Sequence, residues 1–499
     1  MRFASCLING QHVLVPESLS EPNTLRYYPI SHFSSIPAQV VNTSFQPTST
    51  LINHLIGRHL LLEEIPFSLQ TLHDHYLNGH IQLEAGIQNM DGNLTCRRCG
   101  NNHLFSSYSC SRCGEYNCHY CRHCIMMGRV SSCSALYHAP TSFHPVNSSP
   151  LLEWNGTLSA GQIEASNAVA TTIKQNNELL VWAVCGSGKT EVLFRGLEEA
   201  LSCNQTICIA TPRTDVVREL VPRLEKVFPV TPISALYSGS TSSSSRFIVS
   251  TTHQLLRYKQ YFDVMIIDEV DAFPYTFDPA LQYAVNKSRK RASSLIYLTA
   301  TPSQFFLKRI DQQSLSVVRI PARFNGFPLP MPSFTWIGNW RKKMNKRQMA
   351  KPIVEWINKQ ISAEKPVLLF MPSITTLESA KALLEAVDIQ CEAVHSEDPD
   401  RADKVLRFRR KEIPILLTTT ILERGVPIEN VSVGVVGAED HVYTENALVQ
   451  IAGRAGRSAE FPDGDVTFFH YGKTNAMVAA VRQIERMNDE AGEREWLKV

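Results

Sequence analysis

Beyond residue 155 the chain alternates short apolar runs with helical stretches, the first runs being Leu179–Val184, Thr206–Ala210, Phe247–Ser250, Val264–Ile267 and Leu295–Leu298. Unbroken apolar runs this short suit strands buried on both faces, so the pattern predicts a parallel α/β sheet. A second series, Val367–Met371, Glu392–Val394, Ile415–Thr419, Val431–Val436 and Val466–Phe469, predicts another sheet of the same kind. Two tandem α/β domains are therefore expected, over residues 150–320 and 333–499. Between the two series stand Pro321, Pro328, Pro330 and Pro332 with Gly326, and such a proline-rich segment reads as an extended connector and interdomain hinge.

Upstream the pattern fades. Residues 1–90 mix apolar runs with Pro and Ser, without strong periodicity, and carry no chemistry that can be named. A cysteine-rich module is expected over residues 91–135, followed by a Ser/Pro/His-rich linker from His138 to Pro150. The serine-rich run Ser238–Ser245 reads as a flexible surface loop.

A length of 499 residues calls for several domains. With 43% hydrophobic and 19% charged residues and a formal net charge of +2, global charge says nothing about a polyanionic partner. Two local basic stretches stand out, Arg341, Lys342, Lys343, Lys346, Arg347 and Lys351, and Arg401, Lys404, Arg407, Arg409, Arg410 and Lys411; alone, such runs are more often solvated faces. Polar residues interrupt the first twenty positions, and no run of about 18 apolar residues occurs, which predicts a cytosolic chain without a transmembrane segment.

The strand Leu179–Val184 leads directly into Cys185-Gly186-Ser187-Gly188-Lys189-Thr190. Glycines there let backbone N–H groups cradle phosphate oxygens at a helix start, Lys189 offsets β/γ-phosphate charge, and the Thr190 hydroxyl ligates Mg²⁺. Ala183, Val184, Cys185, Gly186, Ser187, Gly188, Lys189 and Thr190 thus form the candidate ATP site. The strand Val264–Ile267 ends in Asp268-Glu269-Val270-Asp271. At such a strand end Asp268 would hold Mg²⁺ and Glu269 would orient and deprotonate the attacking water. Gln450-Ile451-Ala452-Gly453-Arg454-Ala455-Gly456-Arg457 supplies a glutamine and two arginine-finger candidates, Arg454 and Arg457, whose guanidinium forks match γ-phosphate oxygens.

In order and spacing these segments resemble superfamily 2 helicases over about residues 155–475. Leu158–Gln162 is similar to the adenine-reading segment, with Ser159 in place of Thr and Gln162 as the reader, and Ala183 stands where the general phosphate-loop pattern has glycine, as is common in this superfamily. The resemblance implies two RecA-like domains. It makes Pro212, Arg213, Thr251, Thr252, His253 and Thr419 nucleic-acid contacts. It makes Asp271, Thr299, Thr301 and Gly425 coupling residues linking the γ-phosphate to domain closure and the bound strand.

Eight of the 13 cysteines lie between Cys96 and Cys133, and in a reducing compartment such clustering argues for metal. Cys96-Arg97-Arg98-Cys99-Gly100 and Cys110-Ser111-Arg112-Cys113-Gly114 are twin knuckles, in which each cysteine pair can reach one tetrahedral zinc and the glycine permits a tight turn. Cys118, Cys121 and Cys124 follow, and Cys133 offers an eighth ligand. One or two Zn²⁺ ions are possible: the knuckles can share one ion, or Cys96 and Cys99 can pair with Cys121 and Cys124. Interleaved Arg97, Arg98, Arg112, Arg122 and Arg129 with Tyr108, Tyr116 and Tyr120 suit a DNA-contacting surface.

Several longer segments resemble the ComFA family, the cytosolic ATPase of DNA uptake in naturally competent Firmicutes. They are Tyr120–Cys124 with Met127–Val130, Ala210–Asp215, Ser250–Leu256, Thr418–Val426 and above all Asp268-Glu269-Val270-Asp271-Ala272-Phe273-Pro274-Tyr275. The resemblance implies ATP-driven movement of single-stranded DNA, with a ComFC-type protein and the membrane uptake channel as partners and a place at the inner membrane face. A PriA-like restart helicase is the nearest alternative, but there the cysteines interrupt the second motor domain, whereas here they precede the first. An ATP-dependent RNA helicase is the other.

Overall fold

The computed structural model describes all residues except 9, 21–24, 91, 141–151, 241–244, 424–427 and 499. Thirteen strands carry the two predicted sheets: β1 Glu178–Ala183, β2 Ile207–Thr211, β3 Ile233–Leu236, β4 Phe247–Thr251, β5 Phe262–Ile267, β6 Arg289–Thr299 and β7 Ser316–Ile320, then β8 Ser333–Trp336, β9 Val367–Phe370, β10 Glu392–Val394, β11 Ile415–Thr418, β12 Ser432–Val436 and β13 Val466–His470. Six of them, β8 to β13, form one sheet. Every strand expected from an apolar run is present; β3, β7 and β8 are additional.

Two compact units emerge, residues 1–155, 170–178 and 196–297 in the first and residues 156–169, 179–195 and 298–499 in the second. In the first unit, β2 pairs in parallel with β4 and β5, β4 with β3, and β5 with β6. The buried strands β2, β4 and β5 have no exposed position, which is why they read as unbroken apolar runs.

The N-terminal part of this unit is folded in its own right. Arg2–Ile8 pairs antiparallel with Gln11–Pro16 and Tyr28–Pro29. Ala135–His138 pairs with Leu60–Leu61 and Gln82–Ala85, so strands before and after the cysteines share a sheet. His138, expected to open a linker, instead closes that strand, and most of the remaining linker lies outside the described residues. Phe3, Leu51, Leu55, Leu72, Tyr76, Leu83 and Tyr137 form the core beneath. The 1–90 segment hid this core because its elements are two to nine residues long, too short for a clear period.

In the second unit β1 pairs in parallel with β7, and the six-stranded sheet runs β8-β13-β12-β9-β11-β10, parallel throughout. The Pro321–Pro332 connector contains neither helix nor strand, as the prolines require, but it is tethered: the Leu329 backbone N–H donates to Asn488 Oδ1 at 2.7 Å, and Asn488 Nδ2 returns a bond to the Leu329 carbonyl at 2.9 Å. Some cations of the basic stretches are paired locally. Arg341 pairs with Glu439 and Asp440, Lys404 with Asp398, and Arg407 with Glu392 and Glu412.

Candidate ATPase site and cysteine module

In the second unit, β1 ends at Ala183 and the chain turns through Gly186 (φ +82°) and Gly188 (φ +73°) before a short 3-10 turn, Glu191–Leu193, opens the helix Phe194–Ser202. A Cβ on Gly188 would lie 2.3 Å from Gln162 Nε2, so both the backbone conformation and the space require glycine. Gln162 is buried and ties the loop down: its Nε2 donates to the carbonyls of Ser187 at 2.9 Å and Gly188 at 3.3 Å, while its Oε1 accepts from Ser159 N–H at 2.9 Å. Lys189 and Thr190 follow this anchored turn, half-buried.

Motifs distant in sequence meet here. Gln450, on the helix Glu445–Ala452 capped by Thr444, accepts from the Cys185 thiol at 3.0 Å and donates to Thr301 Oγ1 at 3.4 Å. Thr301 N–H donates to Thr299 Oγ1 at 3.0 Å, and its carbonyl accepts from Asn446 Nδ2 at 3.3 Å. Arg457 Nε donates to the Gly453 carbonyl at 2.8 Å; Arg454 is buried and its Nε donates to the Leu422 carbonyl at 3.0 Å, linking this segment to the turn after β11, where Thr419 is half-buried. Gly425 lies outside the described residues.

Sequence reasoning missed Arg323. It sits in the connector, 2% exposed, and its guanidinium donates to the carbonyls of Gly456 and Ala455, the latter at 2.8 Å, while Asn325 Nδ2 donates to the Arg457 carbonyl at 3.4 Å. Burial, with Arg457 second, pushes the Arg323 guanidinium down to about 10. Its only signal was a cation and an amide in an otherwise apolar, proline-rich stretch. Gly453 is the close-approach point: a Cβ there would lie 2.6 Å from Cys185 Cβ. Gly453→Ala is expected to lower ATP turnover about tenfold, since overpacking costs about 1–3 kcal/mol, while leaving binding of a fluorescent ATP analogue near wild type; unchanged turnover would mean that this approach is not needed for hydrolysis.

In the first unit, β5 delivers the acidic segment. Asp268 N–H donates to the Ala210 carbonyl at 2.8 Å, and Asp268 Oδ1 accepts from Glu269 N–H at 2.8 Å. Glu269 adopts φ +51°, a left-handed conformation uncommon in a residue with a Cβ and one that concentrates at functional sites. Asp271 is buried. Pro212 and Arg213 follow β2, and Thr251 ends β4 as the 3-10 helix Thr252–Arg257 begins. Thr252 is fully buried, whereas Thr251, His253 and Gln254 line an open groove with Pro212. Burial lowers His253 below its ordinary value against the opposing pull of Asp278, so near neutral pH it offers hydrogen bonds rather than charge.

The eight cysteines of the module separate into two buried sets, Cys96, Cys99, Cys121 and Cys124, and Cys110, Cys113, Cys118 and Cys133. The two knuckles fall in different sets, and Cys133 completes the second. Strand geometry explains the partition. Cys118 and Cys121 close a four-residue strand, and residues three apart on a strand face opposite sides, so each feeds a different set. Gly100 (φ +74°) and Gly114 (φ +72°) make matching turns, each N–H returning to the first cysteine of its knuckle at 2.8 Å. Sulfur separations of 3.8 Å for Cys96–Cys124, 3.6 Å for Cys99–Cys121, and 3.8 Å for Cys110–Cys133 and Cys118–Cys133 are far beyond a disulfide's ~2.05 Å. They match the edge of a tetrahedron with metal–sulfur bonds of about 2.3 Å, so each set fits a four-thiolate Zn²⁺.

The module is joined to the motor part of its unit at the 3-10 helix Thr252–Arg257 and the helix Pro279–Ser288. Glu64 Oε1 accepts from Arg98 and Arg257, both at 2.7 Å, and those two guanidiniums hold its carboxyl below the ordinary range against burial. Lys287 Nζ donates to the carbonyls of Arg98 and Leu256, each at 2.7 Å, and His123 Nε2 pairs with Asp278 Oδ1 at 2.9 Å.

Residues 43–138 match the family described as Competence protein ComFA N-terminal domain, residues 155–304 the type III restriction enzyme res subunit family, and residues 348–459 the helicase conserved C-terminal domain. The chain is 47% identical over 458 residues to the competence protein ComFA of Bacillus subtilis (strain 168), covering 91% of this chain and 98% of that one. The chain belongs to the ComFA family. A second ComFA, from Streptococcus pneumoniae (strain ATCC BAA-255 / R6), is 36% identical over 405 residues, covering 80% of this chain and 92% of that one. This ComFA-family chain is a competence-associated, helicase-like ATPase of superfamily 2, and its helicase domains imply ATP and Mg²⁺. Among the described residues no helix is long and apolar enough to cross a membrane.

Proposed function

We propose that the chain is a DNA-dependent ATPase that moves along single-stranded DNA and drives uptake of transforming DNA. The observation that carries the reading is the junction in the second unit, where Cys185 of the phosphate loop, Thr301 and Gln450 are hydrogen-bonded in series, in a chain whose relatives are named competence proteins. A serial bond of that kind supports a motor in which the γ-phosphate state is passed to the segment carrying the arginines. Lys189 and Thr190 would grip the β/γ-phosphates and Mg²⁺, Asp268 would complete the metal site, and Glu269 would orient and deprotonate water. Arg454 and Arg457 would offset transition-state charge, with Asp271, Thr299, Thr301 and Gly425 coupling the site to the strand.

Pro212, Arg213, Thr251, Thr252, His253 and Thr419 are the proposed strand contacts, of which Thr252 is fully buried. The cysteine sets would each hold one Zn²⁺ and fix the module's surface. The proposed setting is the cytoplasmic face of the membrane, beside the uptake channel and a ComFC-type protein.

Steady-state ATP hydrolysis measured with no polymer, single-stranded DNA, duplex DNA or RNA at one fixed salt concentration tests this reading, since polyanion binding is salt-dependent. Stimulation by single-stranded DNA above the other polymers is expected. Preference for forked or duplex DNA would favour a restart helicase, and stimulation by RNA alone an RNA helicase.

A further inference from the structure

The first unit contains an open groove of about 630 Å³, bounded by Thr251, His253 and Gln254 on one side and by His54, Arg58 and Met126 on the other. One wall belongs to the motor segments after β2 and β4, the other to the N-terminal region and the turn that follows Cys124. Ion pairs fix its width. Glu64, which lines the groove, accepts at 2.7 Å from Arg257 of the motor wall and from Arg98 of the first knuckle. The groove is therefore a permanent feature of the unit rather than a gap between loose parts.

Its two walls differ in chemistry. The motor wall offers hydroxyl, amide and imidazole groups. The opposite wall presents Met126, 92% exposed on the 3-10 turn Ile125–Met127, directly after a cysteine ligand that anchors its backbone. A thioether held at the surface by a clipped turn is available to a ligand in the groove, and it packs well against flat rings. Charge agrees: the arginines Arg58 and Arg257 line the groove, and its one carboxylate, Glu64, is already shared by two guanidiniums. Polar groups for a backbone, a soft apolar contact for rings and a positive balance together describe a single-stranded nucleic acid.

We infer that this groove is a single-stranded DNA subsite, in which Met126 packs on a base while Thr251, His253 and Gln254 hold the backbone. The N-terminal region then extends the strand path beyond the motor, and the metal sets serve to place Met126. The inference rests on the single-stranded DNA reading of the motor, and its test is separable from that reading. Full-length wild type, Met126→Glu and Met126→Leu are compared by fluorescence anisotropy with a labelled oligothymidine, and by ATPase titrated with the unlabelled strand. Met126→Glu is expected to weaken binding about fivefold and to raise the half-maximal DNA concentration equally, as loss of an apolar contact and a new repulsive charge require, with Met126→Leu, which keeps the apolar contact, close to wild type. The DNA-free rate and the zinc content stay unchanged. Wild-type affinity in Met126→Glu overturns the subsite and leaves the motor reading intact, whereas absence of single-stranded DNA stimulation in the wild type defeats the motor reading itself.

Discussion

Lys189→Ala is expected to cut ATP hydrolysis by about two to three orders of magnitude, the usual cost of removing one preorganised charge-stabilising group from a transition state. Phosphoryl transfer leaves the protein little to do beyond positioning and charge neutralisation, so one ammonium group carries a large share of the rate. The fold should not notice. Lys189 is half-buried on a turn whose shape is set by Gly186, Gly188 and the Gln162 carboxamide, none of which the substitution touches. Stability within about 0.5 kcal/mol of wild type is therefore expected. Steady-state turnover alongside a thermal melt checks both halves, and retained turnover in a well-folded variant would remove Lys189 from the site.

How much of this was legible in the sequence depended on burial. The central strands are apolar at nearly every position and stood out as runs. The three that did not, β3, β7 and β8, lie at sheet edges, where partly exposed positions break the run. Site residues were legible where chemistry demands a residue type at fixed spacing, as in Gly186 to Thr190. Arg323 was invisible because its role is set by a tertiary approach, carbonyls of Ala455 and Gly456 more than 130 positions away, which local pattern cannot encode. The cysteine pairing was open for a similar reason. Spacing says which thiols can share an ion, but only the strand Cys118–Cys121 fixes that its two ends serve different ones.

That partition also predicts an asymmetry between the two metal sets. The set Cys96, Cys99, Cys121 and Cys124 encloses Arg98, whose guanidinium meets Glu64 and whose carbonyl receives Lys287, and Gly100 beside it abuts the Tyr283 ring. The set Cys110, Cys113, Cys118 and Cys133 meets the N-terminal region instead, through the exposed Arg112–Glu63 pair, worth about 1 kcal/mol or less, and through the Ser132 carbonyl, which accepts from Ser31 N–H at 3.1 Å. A structural zinc contributes on the order of 10 kcal/mol to the folding of its module, as much as the whole stability of a typical domain at about 5–15 kcal/mol. Cys121→Ser should therefore do more than release an ion: without the first set, Arg98 and Gly100 lose their positions against the motor helix Pro279–Ser288, and the cost spreads through the unit. Cys113→Ser should leave those contacts standing. Zinc per chain, measured by mass spectrometry, is expected to fall from two ions to one in either variant, but the melting temperature should drop steeply only for Cys121→Ser. Equal drops would mean that the module is docked by its surface chemistry alone, and unchanged zinc content would show that the thiols do not hold the metal.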